Sequence, residues 1–133
     1  MSGRSWIGLG AASGALAVAA GAFGAHLLPR YDYSTRAVQV FETASRYQMY
    51  HALGLVLIGL WDLGQPRRAL TVAGWAFALG TVLFSGSLYA LVLLDRHWLG
   101  MITPIGGLSF IAGWIALAVA SWPTPADREP RKS

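Results

Sequence analysis

Long apolar segments constrain this chain more than any other feature. Three of them carry no charged residue: Trp6 to Leu28 with 23 residues, Ala69 to Leu94 with 26, and Met101 to Trp122 with 22. About 20 apolar residues in a helix suffice to cross the roughly 30 Å hydrocarbon core of a bilayer. Because a backbone in lipid must satisfy its own hydrogen bonds, each segment is predicted to be a membrane-spanning helix.

A fourth apolar segment, at about 47–62, is shorter. Its uncharged part, Tyr47 to Trp61, contains 15 residues. At 1.5 Å per residue this is roughly 22 Å of helix. The segment crosses the bilayer if Arg46 and Asp62 lie at the two interfaces, with aromatic side chains as anchors. We predict that it spans; the alternative is a three-span protein in which this segment is buried without crossing.

Residues 35–46, between the first two spans, have the pattern of an amphipathic helix. Val38 and Phe41 fall on one side, and the polar side chains lie elsewhere, namely Arg36, Gln39, Glu42 and Arg46. We expect this helix to lie flat on the membrane surface and to run into the second span.

The predicted fold is therefore all-α, an integral membrane four-helix antiparallel bundle with an amphipathic surface helix between spans 1 and 2. Residues 1–122 are expected to form a single four-span membrane domain. Its spans lie at about 6–28, 47–62, 69–94 and 101–122, and residues 123–133 are expected to be a disordered polar tail.

Composition limits the functions open to the chain. Of its 133 residues, 55% are hydrophobic and 12% are charged, so four helices leave no room for a soluble catalytic domain. The chain has no cysteine, which excludes disulfides, thiolate metal sites, iron–sulfur clusters and a cysteine nucleophile. The net charge of +4 does not indicate nucleic-acid binding, because the ten basic residues sit at the ends of the spans, where they set topology and contact anionic lipid.

Charge also predicts the topology. Span one is too long for a typical signal-peptide core, so we expect it to be retained. An even number of spans places both termini on one side, and that side collects six basic residues against four on the other. The positive-inside rule then predicts cytoplasmic N- and C-termini.

Small residues recur at helix-packing spacing in three spans. In span one they are Gly10, Gly14, Ala17, Gly21 and Gly24; in span three Gly74, Ala78, Thr81 and Ser85; and in span four Gly106, Ser109, Gly113, Ala116 and Ala120. Such stripes allow close approach of a neighbouring helix in lipid. We expect the span-one stripe to pack tightly within the chain.

Polar residues in the spans are few, and the predicted topology places them in the half of the bundle near the first loop. This candidate polar cluster contains His26, Glu42, His51, Ser85, Ser87, Tyr89 and Thr103. In antiparallel neighbours, His26 and His51 would lie at the same depth. They could then ligate a metal or a haem, although we favour local hydrogen bonds that tie the helix ends together. A proton path through Glu42 and the histidines, and a serine nucleophile at Ser85 or Ser87, are weaker alternatives.

Four ordered motifs in this chain resemble a known family. They are Gly21–His26 (GAFGAH), Tyr47–Leu53 (YQMYHAL), Gly80–Tyr89 (GTVLFSGSLY), and Thr103–Gly107 (TPIGG) followed by Gly113-Trp114. Over about residues 6–120 the chain resembles the YgdD/YwdK-like small membrane proteins, the bacterial domain-of-unknown-function family 423. The resemblance implies a multi-pass protein of the bacterial inner (plasma) membrane with about four spans, and it implies no activity.

The expected function is that of a non-enzymatic integral membrane protein. It would act by helix packing with itself or with a larger membrane complex, in contact with the lipid bilayer and with no cofactor. The first alternative is a small transporter or channel for protons or a small solute. The second is a haem- or metal-binding membrane subunit.

Overall fold

The computed structural model describes residues 1–123, and this part of the chain is all-α. Helix α1 is followed by a short 3₁₀ turn, and α3 continues through a π-helical segment directly into α4. A second 3₁₀ turn precedes α5. The bounds are α1 Gly3–His26, α2 Thr35–Gly64, α3 Arg68–Gly80, the π-helical segment Thr81–Gly86, α4 Ser87–Leu94 and α5 Thr103–Ala120.

Three helical stretches of residues 1–123 are long and apolar enough to cross a membrane. They are Gly3–His26, Arg68–Leu94 and His97–Ala120. They coincide with the predicted first, third and fourth spans, so those predictions of long apolar helices are confirmed. The fourth long helix, α2, is the most polar of the four because it carries Arg36, Glu42, Arg46 and Asp62.

The predicted boundary between a surface helix at 35–46 and a span at 47–62 is not found. Both segments belong to α2, one unbroken helix of 30 residues, about 45 Å long at 1.5 Å per residue. The Ser34 side chain caps its start by accepting a hydrogen bond from the Ala37 backbone N–H at 3.2 Å. Residues 35–46 run directly into the second apolar segment, as predicted. Their contacts with α1 through Phe41 and Ser45 favour an upright position over the predicted one flat on the membrane surface.

Glycines in α1 determine how α1 and α2 pack against each other. A β-carbon at Gly3 would lie 2.6 Å from the Gly59 carbonyl oxygen, and one at Gly10 would lie 2.7 Å from the Ala52 carbonyl oxygen. At the other end of α1, a β-carbon at Gly24 would lie 2.9 Å from the Phe41 ring. The two helices are therefore antiparallel and in contact from end to end, and the predicted packing of the span-one stripe within the chain is confirmed.

Helix α5 packs on α3 and on the π-helical segment through its own small residues. Phe77 of α3 is fully buried, and its ring fills the space beside Gly54 and Gly113, where added β-carbons would lie 2.7 and 2.5 Å from it. The Ser109 hydroxyl donates to the Ala76 carbonyl oxygen at 2.8 Å. The small-residue stripe of span four thus faces its neighbour within the chain.

Three chain segments meet at one end of the molecule. Gly3 lies against Gly59 and Leu63, at the end of α2. The Arg67 guanidinium, just after the α2–α3 turn, donates to the carbonyl oxygens of Ala120 and Trp122, each at 2.9 Å. The start of α1, the α2–α3 turn and the end of α5 therefore share one end. Of the predicted tail at 123–133, residues 124–133 lie outside the described residues.

Candidate functional site

The two histidines of the predicted polar cluster do not lie at the same depth. Gly24 packs against Phe41, and Gly10 packs against Ala52, so His51 lies beside the first half of α1. His26 is the last residue of α1 and is exposed. More than a dozen residues of helix α1, roughly 20 Å, separate the two levels. The prediction was wrong because it paired span one with a second span that begins at residue 47, whereas the helix that packs on α1 begins at Thr35.

His51 is only 4% exposed, and its ring makes a complete set of contacts. Its Nδ1 lies 2.7 Å from the Tyr47 carbonyl oxygen, and its Nε2 accepts a hydrogen bond from the Trp114 indole N–H at 3.2 Å. The ring stacks on Phe110 with centroids 3.4 Å apart and planes 3° apart. These contacts describe a neutral imidazole protonated at Nδ1, as expected for a histidine with local hydrogen bonds.

Gln48 connects three helices, although it is not among the predicted cluster residues. Its amide N–H donates to the Ser13 carbonyl oxygen of α1 at 3.1 Å, and its amide oxygen accepts from the Tyr89 hydroxyl of α4 at 2.8 Å. Gln48 is 7% exposed. An uncharged amide near the start of the charge-free segment 47–61 was the available signal, since such side chains form hydrogen bonds across membrane helices.

Part of the predicted polar cluster does come together. The Ser87 and Thr103 hydroxyls are 2.8 Å apart, and Ser87 also donates to the Phe84 carbonyl oxygen at 3.0 Å. Glu42 is half-buried on α2. In residues 1–123, no hydrogen bond joins its carboxylate to either His26 or His51, and no group of three His, Cys, Asp or Glu residues is placed to hold a metal ion.

An open cavity of about 370 Å³ lies between α1 and the junction of the π-helical segment with α4. We call it the mid-helix cavity. Its lining combines apolar and uncharged polar residues: Leu16, Ala20, Gln48, Thr81, Ser85, Gly86 and Tyr89. Two of the predicted cluster residues, Ser85 and Tyr89, therefore share this cavity with the Gln48 bridge.

Two buried hydroxyl groups near this cavity lack hydrogen-bond partners among the described residues. They belong to Ser85, which is 1% exposed and lines the cavity, and to Ser13, whose carbonyl oxygen holds Gln48. On either side of Ser85, the hydroxyls of Thr81 and Ser87 donate to carbonyl oxygens of their own helix. Ser85 thus departs from the usual behaviour of helical hydroxyls in apolar surroundings.

The fold and this interior define a class of protein: a small, all-α, multi-pass membrane protein whose interior polar side chains are nearly all uncharged. Comparison with known proteins gives the family. The family described as proteins of unknown function, DUF423, matches residues 20–107, and the chain belongs to it.

The relatives extend the match over almost the whole chain. The UPF0382 membrane protein SH2409 of Staphylococcus haemolyticus is 48% identical over 119 residues, which cover 90% of this chain and 96% of that protein. The UPF0382 membrane protein YwdK of Bacillus subtilis is 46% identical over 119 residues, covering 89% and 96%. No solved structure matches the chain significantly. The predicted family is confirmed, and with it the description of an uncharacterised membrane protein.

Proposed function

We propose that this protein is a non-enzymatic, four-span membrane protein that associates laterally with a second copy of itself through the outer face of α1. The observation that carries the proposal is a second stripe of small residues on α1, on the face turned away from α2. Its members are all exposed: Gly8, Ala12, Ala15, Ala19 and Ala22. Their spacing of four, three, four and three residues keeps them on one helical face.

This outer stripe differs from the small-residue stripes predicted in spans one, three and four, which pack within the chain. Gly10 and Gly24 pack on α2, Gly74 packs on Trp6, and Gly113 packs on Phe77, all within one chain. Those residues are not exposed to a partner. The outer stripe is exposed, and close packing of small residues drives helix association in lipid, where the hydrophobic effect between helices is missing.

The non-enzymatic part of the proposal is supported by the polar side chains. Both nitrogens of His51 are engaged, by Tyr47 and Trp114, and Ser87 is bonded to Thr103 rather than to a base. A nucleophile needs an adjacent base or a lowered pKa to react. Neither serine of the predicted cluster has a hydrogen-bonded histidine or carboxylate among the described residues.

The four-span part of the proposal is supported by the contact between α1 and α2. Because α2 lies against α1 from end to end, a bilayer crossed by α1 is also crossed by α2. In this arrangement Arg46 and Asp62 lie near the two interfaces, and residues 35–46 continue upright beside the last turns of α1. We propose cytoplasmic termini, because the start of α1, the basic α2–α3 turn and the end of α5 share one end of the molecule.

Cysteine crosslinking tests the association directly, because the chain has no native cysteine. Single cysteines at Ala12, Ala15 and Ala19 are expected to form disulfide-linked dimers in oxidised membranes, since a two-fold interface brings equivalent residues together. Cysteines at Ile111 and Ile115, exposed on α5, serve as controls and are expected to remain monomeric. Equal crosslinking at all five positions, or none at the α1 positions, would contradict the proposal.

Cysteine accessibility tests the topology in the same background. With cytoplasmic termini, a membrane-impermeant maleimide added outside intact cells should label cysteines at Asp32 and Asp95 but not those at Ser2 and Gln65. Labelling of positions 32 and 65 from the same side would instead indicate three spans.

A further inference from the structure

We propose that the mid-helix cavity binds a neutral, lipophilic molecule that carries a carbonyl oxygen and enters laterally from the lipid. The cavity has about 370 Å³ and is open. This volume falls within the range of about 300–1,000 Å³ found for small-molecule sites. The cavity lies along the middle of α1. Leu16, at the edge of the cavity, is 65% exposed, so the cavity opens at the outer surface of the helices.

The lining residues offer hydrogen-bond donors that the protein itself leaves unused. The Ser85 hydroxyl is buried and has no partner among the described residues. The Gln48 amide has two N–H groups, one of which is bonded to the Ser13 carbonyl oxygen. Its amide oxygen is already bonded to Tyr89. Available donors beside an occupied acceptor favour a ligand that accepts hydrogen bonds, as a carbonyl oxygen does.

The ligand is neutral because nothing in the cavity can offset a charge. The lining contains no Asp, Glu, Lys, Arg or His. A charge placed in the membrane interior without a partner is costly. Apolar Leu16 and Ala20 form the α1 side, which suits an alkyl or aromatic body attached to the carbonyl.

The local backbone supports a binding role for this position. Residues Thr81–Gly86 form a π-helical turn inside an otherwise α-helical stretch. Such turns occur often at functional sites, because they shift side chains out of the regular helical register. Here the turn contains Ser85 and Gly86, both of which line the cavity. The unpaired hydroxyl and the altered helix therefore lie at one place.

Benzophenone is a suitable probe, because it is a neutral diaryl ketone that labels nearby C–H bonds on irradiation. The full-length protein in phosphatidylcholine nanodiscs is irradiated with benzophenone, and labelled residues are mapped by mass spectrometry. We expect labelling to concentrate at Leu16 and Ala20 relative to exposed Ile111 and Ile115 of α5. Fluorenone, a ketone, should compete, whereas diphenylmethane, which has the same body without the carbonyl, should compete about fivefold less, the factor of one net hydrogen bond.

Two variants separate the cavity from general exposure to lipid. A β-carbon at Gly86 meets no atom within 4 Å, and Gly86 lines the cavity, so we expect the side chain of Gly86→Leu to occupy the cavity and to abolish the enrichment. Gly64→Leu is the matched control, because a β-carbon at Gly64 also meets nothing within 4 Å, and Gly64 neither lines the cavity nor belongs to the outer stripe. If Gly86→Leu fails to fold, Ser85→Ala decides, with an expected loss of about fivefold in labelling.

The proposal would be overturned if labelling followed the lipid exposure of each residue, or if diphenylmethane competed as well as fluorenone. It would also be overturned if folded Gly86→Leu kept the enrichment at Leu16 and Ala20. These outcomes are distinguishable from those of the self-association proposal, because this test reads labelling of the cavity lining, whereas that one reads crosslinking between copies at Ala12, Ala15 and Ala19.

Discussion

The indole ring of Trp6 occupies the space in which a side chain at Gly74 would lie. Trp6 is fully buried, and a β-carbon at position 74 would come within 2.7 Å of two atoms of its ring. This contact joins α1 to α3 across the core. The Trp6 ring also meets Trp75 edge-on, with centroids 5.5 Å apart. The buried position of the Trp6 ring thus requires a glycine at position 74 of α3.

Gly74→Ala should therefore destabilise the protein. The added methyl group overlaps a buried ring that has no room to move, and overpacking of this kind costs about 1–3 kcal/mol. The free energy of unfolding, measured by circular dichroism during titration with dodecyl sulfate, gives the effect. Gly8→Ala is the control, because its β-carbon meets no atom within 4 Å. It should leave stability unchanged or raise it slightly through helix propensity, and equal effects of the two substitutions would contradict the packing described.

A pair of adjacent glycines tests the contact between α5 and the π-helical segment. A β-carbon at Gly106 would collide with the backbone at Leu83 and Phe84, whereas one at Gly107 comes no closer than 3.9 Å to the Phe84 ring. Gly106→Ala should lower the free energy of unfolding by about 1–3 kcal/mol, since backbone atoms cannot yield as a side chain can. Gly107→Ala should have little effect. A larger loss from Gly107→Ala would show that α5 faces α3 in another orientation.

The Gln48 bridge predicts an energetic coupling between α2 and α4. Gln48→Leu and Tyr89→Phe each remove the 2.8 Å hydrogen bond between these side chains. A double-mutant cycle on the free energy of unfolding should give a coupling of about 0.6 kcal/mol, with an upper limit near 1.7 kcal/mol for hydrogen bonds between membrane helices. The matched control pairs Gln48→Leu with Tyr31→Phe, because Tyr31 is 68% exposed. Additive effects in the Gln48–Tyr89 cycle would show that the bond is absent.

The hydrogen bonds of Arg67 predict that Arg67 and its neighbour Arg68 contribute differently to stability. Its guanidinium bonds the carbonyl oxygens of Ala120 and Trp122, which lie at the end of α5 and lack helical partners. Arg67→Gln should lower stability by about 1.5–3 kcal/mol, as expected for hydrogen bonds to a charged group. Arg68→Gln should be neutral or slightly stabilising, because exposed Arg68 is a positive charge at the start of α3. Equal losses of stability for the two substitutions would indicate that both arginines act alike, as charges at the membrane surface.

The sequence alone was sufficient to predict the apolar helices and much of their internal packing. In lipid, a charge-free run longer than 20 residues can satisfy its backbone hydrogen bonds within the segment only by forming a helix. The spacing of Gly10, Gly14, Gly21 and Gly24 placed them on one face, and that face packs on α2. These predictions succeeded because helical periodicity is a local property, readable from residues three and four apart.

Three other features depended on tertiary structure: the alignment of α1 with α2, the continuity of α2 and the π-helical segment. Residues 35–46 look like a surface helix in the sequence, because the contacts that hold them against other helices are long-range. Phe41, for example, packs on Gly24 of α1 and on Tyr89 of α4. Whether His26 meets His51 depends on the register between α1 and α2, which the Gly3–Gly59 contact marks. Whether Gln48 meets Tyr89 depends on how α4 packs on α2. The register of α1 on α2 is set by the fit of two whole helix surfaces, whose contacting residues lie from 17 positions apart (Gly24 and Phe41) to 56 positions apart (Gly3 and Gly59) in the chain.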